Sequence, residues 1–254
     1  MKKIGAVVEG LILLAVAVYA GMLVLAGDYW RFLNPKFKWV TGATAAVLLF
    51  TATVAILNPD RRSSLSRIVI FLLFLRILTM GMSGSTSFVE GFSAVFGHRD
   101  LAIESSRATM NGREYIRINL GELYRLADRM PESEEAAGPY VVRGIVMQSR
   151  ALAEAGQFAL MRVAVYCCLA DAVAMGIRVA WDQADEIADG QWVEVYGTLK
   201  PLPRQLPEPG LHVPGLFLSA VNDTHVLIPD RIHPIRAPDI PFMFEFRKAE
   251  PYAY

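Results

Sequence analysis

The chain has 254 residues, 54% of them hydrophobic, with 25 basic and 25 acidic side chains and a mean hydropathy of +0.34. A formal charge of zero supplies no global field to draw nucleic acid or an acidic substrate. Two cysteines are too few for a disulfide scaffold or an all-cysteine structural zinc site, which takes three or four thiolates.

The apolar residues concentrate in the first third, which points to a membrane anchor followed by a soluble tail. Ile4 to Ala26 is a run of 23 residues with one charge, Glu9. At 1.5 Å per residue it can cross a hydrocarbon core of about 30 Å. It is also longer than the apolar part of a cleavable signal peptide, about 7 to 15 residues, so it is expected to be retained. The linker that follows carries Tyr29, Trp30 and Trp39, rings suited to a membrane interface, and Pro35, where a helix stops. Trp39 to Leu57 has no charge, and its Gly, Ala and Thr content suits close helix packing. A third apolar segment, Ile68 to Met82, contains Arg76, which in a spanning helix, the favoured reading, would mark a surface for a partner subunit and in an interfacial segment would be its wet side. The expectation is a membrane domain over 1–82 with helices at 4–26, 39–57 and 68–82.

Lys2, Lys3, Arg61, Arg62 and Arg67 fall on one side of such a bundle, against Arg31, Lys36 and Lys38 on the other. That bias predicts a cytoplasmic N-terminus and, with three spans, an extracytoplasmic C-terminal domain in a multi-pass bacterial protein.

Residues 83–112 show no firm period and read as a connector. From 113 to 254 the texture is mainly β. The stretch from Glu114 to Ile118 alternates like a strand, and Asn119 followed by Glu122 has the spacing of a helix capping box. Strand patterns then recur in YVVRGIVMQ, FALMRVAVYC, GIRVAW, QWVEVYGTLKPL and LFLSAVND with THVLI. Gly144 and Gly197, each inside a strand run, suggest the bends of a small barrel. DQADEIADG, between two strands, reads as a crossover helix. The fold expected is therefore a membrane α-helical N-terminus plus a mainly-β C-terminal domain, an OB-like Greek-key barrel with a short helix.

The stretch YCCLADA places the two cysteines side by side, with a carboxylate three positions on. Adjacent strand residues point to opposite faces, so Cys167 and Cys168 can converge only if the strand ends near Cys167. In a turn, Cys167, Cys168 and Asp171 could then offer two thiolates and a carboxylate to a borderline cation such as zinc. His225 or His233 could complete the set only by tertiary approach, whereas His98 and His212 read as surface residues. Two further readings stay open: buried core cysteines with Asp171 capping a turn, and a redox-active vicinal pair. G-x-G-x-x-G, Walker, G-x-S-x-G and H-E-x-x-H motifs are absent, so no enzyme is expected. The strand patterns also lack a basic and aromatic platform, so nucleic acid is not expected as a partner.

The run from YVVRGIVMQ to DGQWVEVYGTLKPL resembles the YcgQ-type family of bacterial membrane proteins of unknown function. The residues that carry the resemblance are Cys167, Cys168, Ala170, Asp171, Ala172, Gly176, Val179, Trp181, Trp192, Val193, Val195 and Gly197. It implies an accessory subunit of a multi-span permease, with a suspected role in zinc or other metal homeostasis. Many members carry a histidine-rich tract between their spans, and NPDRRSSLSR has no histidine. The function expected is thus a membrane-embedded permease subunit whose β-domain binds a metal ion. A membrane-tethered thiol redox protein and a purely structural scaffold are the alternatives.

Overall fold

The structure is a computed structural model that describes residues 2–58, 106–131, 138–181, 187–202, 211, 213, 216 and 218–254. The chain divides into two compact units, Met1–Ala102 and Ile103–Tyr254. The third apolar segment with Arg76, and His98 and His212, lie outside the described residues.

The described residues of the first unit form an antiparallel pair of helices, α1 (Lys2–Leu25) and α2 (Lys38–Leu57), joined by two short 3₁₀ turns. Pro35 opens the second turn, where Asn34 caps the Lys36 N–H at 3.1 Å. Small side chains set the close approach: Ala17, Ala45, Ala52 and Ala55 are buried, and a Cβ on Gly10 would lie 2.6 Å from Ile56 Cγ1. Among the described residues one helix, Pro35–Leu57, is long and apolar enough to cross a membrane, and the described apolar run of α1, Gly10–Leu25, is shorter. Large apolar side chains such as Tyr19, Met22, Phe50 and Leu57 point outward. An exposed face of this kind suits contact with lipid and supports membrane association.

The second unit is mainly β. A hairpin of β1 (Arg107–Met110) and β2 (Arg113–Arg117) turns on Asn111 and Gly112, both with positive φ as a two-residue turn requires. β1 thus stands within the stretch that reads as connector in the sequence. The helix α3 (Leu120–Arg129) starts at the expected capping box, with the Glu122 N–H donating to Asn119 Oδ1 at 2.9 Å. Five strands follow: β3 (Pro139–Met147), β4 (Gln157–Ala164), β5 (Val173–Ala180), β6 (Trp192–Pro201) and β7 (Leu218–Pro234). A short helix α4 (Arg150–Glu154), capped by Ser149, joins β3 to β4, and β8 (Phe242–Met243) pairs with the end of β4. Of the crossover helix expected over 182–190, residues 182–186 are outside the described set and 187–190 form a bend and a turn.

These five strands close on themselves in the order β3-β6-β7-β5-β4-β3. All pairs are antiparallel except β5 with β7. Closure requires β3 to serve two neighbours: Pro139–Ile145 pairs with β6, and Ile145–Met147 pairs with β4. The handover falls beside Gly144, where a Cβ would stand 2.7 Å from Leu160 Cγ. On β6 the register with β7 shifts between Tyr196 and Gly197, so the expected bend at Gly197 is a bulge. The result is a closed five-strand barrel whose order is compatible with an OB-like fold. Its interior is packed by Val142, Phe158, Leu160, Ile177, Val195 and Leu227, with Leu120 and Leu123 of α3 in the same core.

The last residues of the chain strap back onto α3. Glu122 is buried, and its carboxylate accepts N–H bonds from Asn119, Arg247 and Ala253. Burial nevertheless dominates and raises this carboxyl from its ordinary value to about 7.

The Glu122 proton is held more tightly in the folded state than in the unfolded chain. Its contribution to stability is therefore complete below about pH 4.5 and is lost as pH rises through about 7, a difference of about 3 kcal/mol. Urea unfolding at a series of pH values should show this slope in the parent and a shallower one in Glu122→Gln. At Gly197 a Cβ would meet the Ile228 carbonyl oxygen at 2.4 Å, and backbone cannot swing aside. Gly197→Ala should destabilise the barrel by about 1–3 kcal/mol in the same assay, as overpacking does.

Candidate functional site

β4 stops at Ala164, three residues short of Cys167, and β5 begins at Val173. Between them Tyr166 to Ala172 forms a turn that closes with a 3₁₀ element at Leu169–Asp171. The strand ends here because its last paired residues are Val163 and Ala164, after which Val165 donates to the Met243 carbonyl of β8. Beyond that point one carboxylate organises the backbone. Asp171 Oδ1 accepts the Tyr166 N–H at 2.9 Å, and Oδ2 accepts those of Cys167 at 2.7 Å and Cys168 at 3.4 Å. Three successive N–H groups are thereby aimed at one side chain.

The turn brings the two thiols to the same side. Cys167 Sγ lies 3.6 Å from Cys168 Sγ, and both cysteines are free and half-buried. One ligand atom from each of Cys167, Cys168 and Asp171 falls within 4.8 Å of the others. The residues expected from the sequence to act together are therefore adjacent in space, through the turn and not through the strand.

Burial raises the Cys167 thiol first, and its bonds to Asp171 and Cys168 and the nearby Asp171 charge push it further, up to about 12. Burial would also raise Asp171, but bonds from the Cys167 thiol and the three backbone N–H groups outweigh it and hold the carboxyl below its ordinary value. At neutral pH the turn therefore carries an ionised carboxylate beside a protonated Cys167 thiol. Such a thiol is a weak nucleophile until a cation displaces its proton.

The histidines stand elsewhere. His225 on β7 is fully buried, with Nδ1 2.9 Å from Thr224 Oγ1 and its backbone N–H bonded to Asn222. His233 packs edge-on against Tyr196. Neither belongs to the Cys167, Cys168 and Asp171 group among the described residues.

Sequence reasoning missed two buried arginines. Arg162 donates to the Pro241 and Phe242 carbonyls and so helps hold β8 to β4 at the base of the turn. Arg178, also buried, donates to Gln157 Oε1 at 3.5 Å. Their only sequence signal was a cation at positions in otherwise apolar strands.

The comparisons with known proteins bear on the β unit. Residues 103–213 match the family model of the DUF1980 C-terminal domain. This is a domain of unknown function, and the matched stretch takes in the cysteine turn and all strands up to β6, while β7 and β8 lie beyond it. No curated protein matches the chain. Among solved structures, a chain assigned as an aspartyl-tRNA synthetase from Leishmania major Friedlin is 16% identical, with a TM-score of 0.26 over 57% of this chain. This chain spans 23% of that protein's length, and at that score the likeness bears on neither fold nor function.

If Asp171 both orders the turn and suppresses Cys167 ionisation, iodoacetamide at pH 8 should alkylate Cys167 at least about tenfold more slowly in the folded protein than in urea. Asp171→Ala should remove most of that protection, as followed by peptide mass spectrometry.

Proposed function

We propose that the chain is a membrane-anchored metal-binding protein in which Cys167 and Cys168, set by Asp171, capture a borderline cation such as zinc. The observation that carries this reading is the convergence of three ligand atoms within 4.8 Å on one turn. Thiolates are preferred zinc ligands, and a site with two sulfurs and one oxygen leaves a fourth position open for water, a donor from another protein, or the chemistry of handing the ion on.

The protonated thiol gives the site its logic. Metal capture must expel the Cys167 proton, which makes affinity rise with pH. Loss of that S–H also removes one donor to Asp171 and frees a lone pair of its carboxylate toward the cation. The turn thus has its third ligand in place beforehand, held by the backbone bonds that shape it.

The wider setting follows the same reading. The apolar helix Pro35–Leu57 supports a membrane anchor, and the YcgQ-type resemblance of the cysteine signature supports an accessory subunit beside a multi-span permease, with the β-domain outside the cytoplasm. An OB-like barrel then serves as the rigid holder of the turn. A redox role for the vicinal pair is the rival. The 3.6 Å sulfur separation favours it, and the raised Cys167 thiol weighs against it.

Full-length protein purified in detergent should retain or take up about one equivalent of zinc, measured by elemental analysis after dialysis. Changing both Cys167 and Cys168 to serine should abolish uptake without unfolding the chain. Zinc-free parent protein that instead loses two hydrogens reversibly under mild oxidant would favour the redox reading.

A further inference from the structure

A cavity of about 610 Å³ opens in the β unit between β2, the end of α3, the start of β3 and the segment around Glu250 and Tyr252. Its volume lies in the range of small-molecule sites, roughly 300–1,000 Å³, and none of Cys167, Cys168 and Asp171 lines it. Two features separate it from an ordinary surface groove. Tyr140 is 4% exposed and lines the cavity, yet its hydroxyl has no hydrogen-bond partner among the described residues. That hydroxyl is not one of the enclosed, unpaired side-chain atoms of the described residues, so it stays open to the cavity, where a bound group can hydrogen-bond it. Tyr252 lines the same space, likewise without a partner for its hydroxyl among the described residues, whereas the third phenol, Tyr115, is committed to Asp230 at 3.0 Å.

The second feature is charge. The rim carries Glu114, Glu250 and Arg107, two carboxylates against one guanidinium. Arg107 is shared unequally: Nη1 bonds Glu114 at 3.2 Å, while Nη2 stays 3.6 Å from Glu250. Glu250 therefore keeps most of its capacity to accept. Burial, followed by the neighbouring Tyr252 hydroxyl and the Glu250 charge, raises Tyr140 to about 12, and burial followed by Glu250 and Glu122 raises Tyr252. Both phenols remain neutral; the Tyr140 ring is packed in the core, whereas Tyr252 is only partly buried and keeps ring surface that attracts a cation.

We propose that this cavity binds a small organic cation, an alkyl- or arylammonium held by Glu250, Tyr140 and Tyr252, with its apolar body against Ile116, Leu126 and Met130. A carboxylate supplies the charge match and acceptor, Tyr252 supplies a ring and a hydroxyl, Tyr140 supplies a hydroxyl, and three apolar side chains shelter the hydrocarbon. An anion would meet a rim with one more carboxylate than guanidinium and is disfavoured. The site is independent of the metal reading, since it shares no residue with the cysteine turn.

The test is calorimetric titration of the full-length protein in lipid nanodiscs with benzylammonium chloride, beside benzyl alcohol as the uncharged molecule of similar shape. Saturable binding of the ammonium is expected, with the alcohol at least about tenfold weaker, the value of one carboxylate–cation contact of about 1.4 kcal/mol. Glu250 is a half-exposed rim residue, and Glu250→Gln should weaken the ammonium by a similar factor. Cys167→Ser with Cys168→Ser should leave it unchanged. Absence of saturable binding, equal binding of the alcohol, or unchanged affinity in Glu250→Gln would overturn the proposal. The comparison of ammonium with alcohol needs no variant and decides the matter even where a substitution fails to fold.

Discussion

Closure of the barrel is the constraint on which the rest of the β unit depends. Five strands can form a ring only if β3 abandons one neighbour for another along its length and β5 meets β7 in parallel. Gly144 permits the first, because any side chain there would collide with Leu160 of β4. The long β7 permits the second, running beside β5 and β6 through a register shift at Gly197. With no open edge among these five strands, the backbone groups of the sheet are paired and the interior is sealed by residues such as Phe158 and Leu227. A rigid ring then presents its connecting turns at fixed positions.

The cysteine turn uses that rigidity. Both strand ends flanking it are tied down, β4 by β5 and β8, and β5 by β7. Within seven residues the chain must reverse, and Asp171 enforces the reversal by collecting three consecutive N–H groups. Together with burial, the same carboxylate that shapes the backbone raises the Cys167 thiol, and in the proposed metal site it is the oxygen ligand. The bonds that cap the turn are also what place the sulfurs together.

Much of this was legible in the sequence for identifiable reasons. The capping box at Asn119 and Glu122 is a local signal that needs no tertiary information, and the alternating strands from Tyr140 onward repeat with period two. Gly144 and Gly197 announced bends because a strand interior rarely tolerates glycine without one. What stayed hidden was set at a distance. The β1–β2 hairpin carried its Asn111-Gly112 signal but sits at the end of an aperiodic stretch. The two-residue β8 has no pattern of its own and exists only as a partner of β4. Arg162 and Arg178 look like surface cations until their strands are closed into a ring. Two of the backbone bonds that Glu122 accepts come from Arg247 and Ala253, more than a hundred residues away.

The central claim, that Cys167 and Cys168 jointly ligate a metal, is tested most directly by X-ray absorption at the zinc edge on the zinc-loaded full-length protein. The account predicts two sulfur scatterers at about 2.3 Å with the remaining ligands nitrogen or oxygen near 2.0 Å. A first shell containing no sulfur would contradict it.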